Sequence, residues 1–203
     1  MATSTRYAIA GSGKVGSALA RLFARAGIEV SIANTRGPQS ISQFAASLGS
    51  GVRAVSIEEA LDSDVIFMAV RFLAVEQFGK SLPDWTGKIV VDTTNSFLVP
   101  SAPGILQGRL STHYAAEHLP GAEVVKAFNQ LPAHILAADV DPALGRRVIF
   151  IASDSPDAAD RIAGLVGDLG LAAVQLGRIG EGGRLIQAQN ALTLRNLFER
   201  PLV

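Results

Sequence analysis

The hydrophobic positions of the chain recur in one order: a short apolar run, then a stretch whose apolar residues return every three or four positions. Tyr7 to Ala10 is the first run, and Lys14 to Ala26 follows with Val15, Leu19, Leu22 and Phe23 on one side, the spacing of an amphipathic helix. Gly27, free to take positive φ, ends it. Ile28 to Ala33 predicts a second strand, Ile41 to Leu48 a helix closed by Gly49, and Val52 to Val55 a third strand. Ser56 and Glu59 stand at capping-box spacing and open a short helix ending near Leu61. Val65 to Val70 is apolar throughout, as in a strand covered on both faces. Lys88 to Asp92, Glu123 to Phe128, Val148 to Ser153 and Ala172 to Leu176 repeat that signature. Ser155 and Pro156 start an amphipathic helix through Leu169, stopped by Gly170. A last helical pattern covers Gly183 to Phe198; its Leu185, Ile186, Leu192, Leu194, Leu197 and Phe198 exceed one stripe, and the surplus predicts a homodimer contact.

Strands alternating with helices predict an α/β fold: a doubly wound, mostly parallel sheet with a small carboxyl-terminal helical extension. No repeat, low-complexity segment or Pro/Gly/Ser-rich linker divides the 203 residues, so one domain is expected. Within it, about 1–150 forms a dinucleotide-binding core and about 151–203 a strand–helix portion.

Composition narrows the function. Hydrophobic residues make up 48% and charged residues 18%, as in a well-packed globular protein. Eighteen basic residues balance eighteen acidic ones, so no global field favours nucleic acid or an anionic membrane. The chain has no cysteine, which excludes disulfides, thiolate catalysis and cysteine metal sites. Met1 to Arg6 is short and polar, without the pattern of a signal peptide, and the longest apolar runs are of strand length. A cytoplasmic protein without a membrane partner is expected.

Gly11-Ser12-Gly13-Lys14-Val15-Gly16 is G-x-G-x-x-G between the first strand and the first helix. In that setting Gly11 permits the tight turn, Gly13 lets backbone amides approach a pyrophosphate, and Gly16 lets the helix pack on the sheet. The helix amino terminus adds unpaired N–H groups and a positive dipole end. This is the signature of a Rossmann-type dinucleotide site. An NAD site would end the second strand on Asp or Glu; here stand Asn34, Thr35, Arg36, Gly37 and Pro38. A guanidinium and a hydroxyl hold a 2′-phosphate that a carboxylate would repel, so the expected cofactor is NADP(H).

The remaining strand ends supply Val70 and Arg71, then Asp92 to Asn95, then Ala127, Phe128, Asn129 and Gln130. Val70, Arg71, Asn95, Ala127, Phe128 and Asn129 join the expected cofactor-binding set, with Arg71 either a clamp or a solvated residue. Asp92 reads as a cap for the next segment. These ends offer amides, hydroxyls and one guanidinium but neither a carboxylate pair nor a His–carboxylate couple. His113, His118 and His134 lack ligand spacing. No catalytic residue and no metal ligand is assigned, and the chemistry that suits such a site is direct hydride transfer between two positioned rings.

Three segments together, Gly11 to Gly16, Asn34 to Pro38, and Val124-Val125-Lys126-Ala127-Phe128-Asn129, resemble the coenzyme F-420-dependent NADP oxidoreductase family over nearly the whole chain. The family fold is also similar to the cytosolic domain of six-transmembrane metalloreductases. The resemblance implies NADP(H) and hydride transfer to a second acceptor such as coenzyme F-420 or a flavin. Ser12 to Val15 would sit on the pyrophosphate, Thr35 and Arg36 on the 2′-phosphate. The loops after Val70 and around Phe128 to Leu131 would flank the nicotinamide. Two positions on the acceptor side depart from the family pattern: Ser96 follows Asn95 where Pro is usual, and Gln130 stands in place of Thr. A non-catalytic NADP(H) sensor, and a reductase of imines or keto acids, are the competing expectations; the latter enzymes append a long helical domain that 203 residues do not contain.

Overall fold

The computed structural model describes residues 5–97 and 99–201; Met1 to Ser4, read above as lacking a signal pattern, lie outside the described residues. Along the chain run β1 (Tyr7–Ala10), α1 (Lys14–Ala26), β2 (Val30–Ala33), α2 (Ser42–Ser47), β3 (Val52–Ala54), α3 (Ile57–Leu61), β4 (Val65–Met68) and α4 (Val75–Gly79). Then follow β5 (Ile89–Asp92), α5 (Ala102–Leu106), α6 (Ser111–Glu117), β6 (Glu123–Lys126), α7 (Ala133–Ala137), β7 (Arg146–Ser153), α8 (Pro156–Asp168), β8 (Ala172–Gln175), α9 (Gly183–Ile186) and β9 (Phe198–Glu199).

One sheet runs through all of it in the order β3-β2-β1-β4-β5-β6-β7-β8, with β9 also paired to β7. The six strands from β3 to β6 are parallel. β7 joins β6 antiparallel through its carboxyl end, and β8 returns parallel to β7 after α8. The order steps outward to β3 on one side of β1 and to β4, β5 and β6 on the other, so the chain reverses direction at β1, where a doubly wound sheet opens its ligand crevice.

Strand alternation sorts the core onto two faces. Ile9, Phe67, Val91, Val125, Ile149 and Ile151 pack with Leu19 and Phe23 of α1 and with Ile162 and Leu165 of α8. Ile66, Met68, Val90 and Val124 point the other way, onto Phe72, Phe78, Trp85 and Leu119. Trp85 is fully enclosed and its indole N–H donates to Gly79 O at 3.0 Å, so the ring is buried without an orphan donor.

The caps follow the sequence signals. Ser56 Oγ accepts from Glu59 N and Ser155 Oγ from Ala158 N. Gly27 is left-handed, its N–H bonding Ala24 O while Ile28 N bonds Phe23 O. That closing motif consumes Ile28, which is why β2 begins at Val30 rather than at Ile28.

The expected helix over 183–198 is different in the structure. Only one turn, α9, forms; Gln187 is extended at φ −65 and ψ 147, and Gln189 and Leu194 are left-handed. The backbone is claimed by the loop after β6 and by β7 instead: Leu194 N donates to Gln130 O at 2.7 Å, Val148 N of β7 donates to Leu197 O at 2.9 Å, and Phe198 of β9 pairs with Arg147 of β7. Of the six apolar residues read as a helical surplus, Ile186 is fully buried under β7 while Leu185, Leu194 and Leu197 are exposed. Among the described residues no helix is long and apolar enough to cross a membrane.

Candidate functional site

The site lies at the carboxyl ends of β1, β2, β4, β5 and β6. Gly11 leaves β1 at φ +122, and a Cβ there would collide with the carbonyl oxygen of Ala69 after β4. A Cβ on Gly16 would run into the carbonyl of Gly11. Gly13 is of another kind: nothing lies within 4 Å of its would-be Cβ. The first two glycines are therefore demanded by the protein's own packing, and the third leaves open space beside the amino terminus of α1. There the amides from Gly13 onward precede the first helical acceptors, and Ser17 N closes the first turn on Gly13 O at 2.8 Å. The arrangement is a ready anion cradle.

Asn34 joins this loop to the next. Its Nδ2 donates to Ser12 Oγ at 2.8 Å and its Oδ1 accepts from Arg36 N at 2.8 Å. Because Ser12 Oγ accepts there, its own proton is left to donate elsewhere. The side chain of Asn34 is buried and spent on these bonds, so it positions its neighbours. Thr35 and Arg36, by contrast, are exposed, and Gly37 at φ +85 turns the chain away from them into a short 3-10 turn at Pro38–Ser40. A guanidinium and a hydroxyl thus stand side by side at the end of β2, two residues from the tie to the phosphate loop. On the other side of Gly11, Val70 is half-buried and Arg71 exposed where the chain leaves β4.

β5 and β6 end in a buried polar cluster. Asp92 and Lys126 are register partners, both enclosed, with Lys126 Nζ 3.1 Å from Asp92 Oδ2. Asp92 Oδ1 accepts from Thr94 N at 2.9 Å and Thr94 Oγ1 at 2.7 Å, the capping role its sequence position suggests, and Thr112 Oγ1 donates to Oδ2 at 2.9 Å. Lys126 Nζ also donates to Thr94 O at 2.5 Å. Burial pushes the Lys126 ammonium below its ordinary range, against the pull of Asp92. The pair fastens the 93–95 turn to β6. Nothing in the sequence reading separated Lys126 from its apolar neighbours; the signal was a lone cation in a covered strand, aligned with a lone acid in the strand beside it.

Beyond Lys126 the chain turns sharply. Phe128 is left-handed at φ 59, with its ring buried edge-on against Phe67 at 5.7 Å between centroids. This strained residue aims Asn129 back across β5, where Asn95 Nδ2 donates to Asn129 O at 2.7 Å. Asn129 Nδ2 donates to Asn95 Oδ1 at 3.1 Å and to Ile186 O at 2.6 Å. Asn129 Oδ1 is buried with no hydrogen-bond partner among the described residues. Gln130, one of the two departures on the acceptor side, turns inward: Nε2 donates to Val148 O at 2.9 Å and Oε1 accepts from Phe150 N at 3.1 Å. Its amide imitates a peptide unit along β7, a structural task.

Beside Asn95 and Asn129 opens a cavity of about 300 Å³ whose walls include Phe97, Leu131, Thr193 and Leu194. A larger cavity, of about 620 Å³, lies at the opposite ends of the strands, where Arg6 pairs with Asp64 and Arg53 with Glu59. It has no part in the crevice. The expected residues therefore fall into three groups: the phosphate loop with Asn34 to Arg36, the β4 exit, and the Asn95–Asn129 couple under Phe128. Ala127 is buried beneath them. No cluster of metal-binding side chains occurs among the described residues.

A glycine loop at the switch point, with a hydroxyl and guanidinium in place of the ribose-binding acid, defines a Rossmann-type nucleotide domain of the NADP-binding kind. Residues 6–96 match the family described as NADP oxidoreductase coenzyme F420-dependent, and the chain belongs to that family. It is 43% identical to a hypothetical protein of Sinorhizobium meliloti, each chain covered over 97% of its length, with a TM-score of 0.91. A candidate F420-dependent NADP-reductase from Arthrobacter sp. FB24 is similar at 21% identity, over 97% of this chain and 100% of that one, with a TM-score of 0.70. The reductive aminase of Aspergillus terreus, solved with NADPH and ethyl levulinate, is 20% identical at a TM-score of 0.61, over 87% of this chain and 56% of that one. The last two likenesses are of fold.

Proposed function

We propose that the protein is an NADPH-dependent reductase that binds the dinucleotide across β2, β1, β4, β5 and β6 and passes a hydride to a second, separately bound acceptor. The pyrophosphate would lie on Ser12 to Val15 and the 2′-phosphate between Thr35 and Arg36. The nicotinamide would lie toward Val70, Arg71, Asn95 and Asn129. A deazaflavin, a flavin or a small organic molecule would accept the hydride. The observation that carries this reading is the exposed Thr35–Arg36 pair locked to the phosphate loop through Asn34 and Ser12. A charge-assisted hydrogen bond contributes about 1.5–3 kcal/mol, which is about ten- to hundredfold in affinity. Calorimetric titration with NADPH and NADH tests it. The wild type is expected to favour NADPH by that factor, and Arg36→Ala to bring the two nucleotides close together. Equal affinities in the wild type would remove the basis for the assignment.

A further inference from the structure

We propose that the cavity beside Asn95 and Asn129 is the acceptor subsite and that it takes an uncharged, conjugated ring of flavin type, bearing an imide N–H and no anionic tail. The inference rests on the NADPH reading above, since it needs a donor in the same crevice. With the adenosine end at β2, the reactive end of a dinucleotide crossing the switch point arrives at the carboxyl ends of β4 to β6. The cavity opens there.

Four features of the cavity restrict its occupant. Its size comes first: about 300 Å³ beside Asn95, continued across Phe97, Ala188 and Gln189 by a second hollow of about 470 Å³. That is room for a fused ring system. Second is charge. Not one described residue lining either hollow is ionisable, in a chain with 18% charged residues. The phosphate and carboxylates of a deazaflavin cofactor's tail, were they drawn into either hollow, would lie against Phe97, Leu131 and Leu194 with no cation among the described lining residues to pair them, and desolvated anions are costly unless paired. The residues present do not fit that group.

Third, the described lining holds no carboxyl, imidazole or ammonium group to act as a general acid; its hydroxyls, Thr193 and Ser96, are weak acids. Reduction of a ketone or imine calls for a proton at the heteroatom as the hydride arrives. A conjugated ring spreads the incoming electron pair over itself and takes its proton from water. The balance is simple: the C4–H bond of the dihydronicotinamide breaks and a new bond to hydrogen forms on the ring. The nicotinamide is oxidised, the ring is reduced, and solvent supplies one proton.

The fourth feature is a fixed hydrogen-bond acceptor. Asn129 Nδ2 is held by Ile186 O at 2.6 Å and Asn95 Nδ2 by Asn129 O at 2.7 Å. Flipping either amide would set oxygen against a backbone carbonyl, so the orientations are determined by the main chain. Asn129 Oδ1, on a residue lining the cavity, is left with its accepting capacity unspent among the described residues. The oxygen is itself enclosed, so an imide N–H would pair with it once the entering ring displaces what covers it.

The part of the wall contributed by residues 189–194 is held by the main chain. Gln189 at φ 69 and Leu194 at φ 63 are left-handed, and Leu194 N is pinned to Gln130 O at 2.7 Å.

The test uses the whole protein and three rings: lumiflavin, 3-methyllumiflavin and riboflavin 5′-phosphate. NADP⁺ binding is measured first by calorimetry. Quenching of each ring's fluorescence by the NADP⁺-saturated protein then reports binding, and NADPH oxidation reports turnover. Lumiflavin is expected to bind and to exceed riboflavin 5′-phosphate at least tenfold in kcat/KM, with 3-methyllumiflavin reduced about as far. Leu194→Arg is expected to reverse the preference between the neutral and the anionic ring. If NADP⁺ binds but lumiflavin does not quench, or if the phosphate-bearing ring binds as well or better, the acceptor assignment is overturned and the NADPH reading stands. If NADP⁺ itself does not bind, both fall.

Discussion

At the scale of single residues, the glycines of the phosphate loop divide by what surrounds them. Gly11 and Gly16 are required by contacts within the protein, since a Cβ on either would strike a backbone carbonyl. Gly13 is not: its φ of −75 suits any residue, and its side-chain position faces open space. On the proposed reading, the demand for glycine at 13 comes from the ligand, whose phosphate would need the room. Gly13→Ala should leave the thermal midpoint within about 2 °C of the wild type, consistent with the few tenths of a kcal/mol typical of a harmless surface change. NADPH affinity should nonetheless fall at least tenfold, a loss of about 1.4 kcal/mol. Gly16→Ala should lower both stability and affinity, because the loop must shift before anything can bind. Paired melting curves and titrations separate the two, and unchanged NADPH affinity in Gly13→Ala would mean that the phosphate passes elsewhere.

At the scale of elements, legibility followed length and local chemistry. α1 stands at the bounds its apolar spacing gives, Lys14 to Ala26, because thirteen residues sample the period several times and Gly27 stops it. The capping serines at 56 and 155 were equally plain, each being a local bond. α4, α5 and α7, at five residues each, have too few positions for a period to register. They are helical because the crossovers between strands hold them there. The end of the chain misled for the opposite reason. Its leucines carry a helical density, yet the part of β7 that β6 leaves unpaired takes backbone hydrogen bonds of the segment instead. In the site, the phosphate loop and the Asn34–Arg36 corner were visible in sequence because both are contiguous motifs. The Asp92–Lys126 pair and the Asn95–Asn129 couple join residues 34 positions apart and emerge only when β5 and β6 come into register. The buried pair yields a sharp expectation. Lys126→Met strands the Asp92 carboxylate in the core, and losing one partner of a buried pair costs about 3–5 kcal/mol. The double variant Asp92→Asn with Lys126→Met restores neutrality and should recover most of that loss in urea denaturation. If the double variant is as unstable as the single one, the cost lies in packing and not in charge.

At the scale of the molecule, one segment is marked by its exposed leucines. Leu185, Leu194 and Leu197 are 43%, 66% and 45% exposed, and they cluster in the segment that crosses the end of β7. Ile186, between them, is wholly buried, so the segment is anchored from within while its leucines face outward. Exposed apolar side chains scattered singly are ordinary, but three within thirteen residues of one anchored segment make that segment the candidate contact between copies. We propose that two copies meet there. Light scattering at micromolar concentration should then give twice the monomer mass. Leu185→Lys combined with Leu197→Lys should give the monomer without changing NADPH affinity by more than about twofold, because neither residue lies in the crevice and distant sites contribute independently. The acceptor cavity offers a second readout. Leu194 belongs both to its wall and to the exposed patch, so pairing of two copies would bring the partner close to the mouth of the cavity. Lumiflavin quenching should therefore weaken in the monomeric double variant while NADP⁺ binding persists. A wild type that is already monomeric would leave the three leucines as ordinary surface residues and confine the cavity to the walls of a single chain.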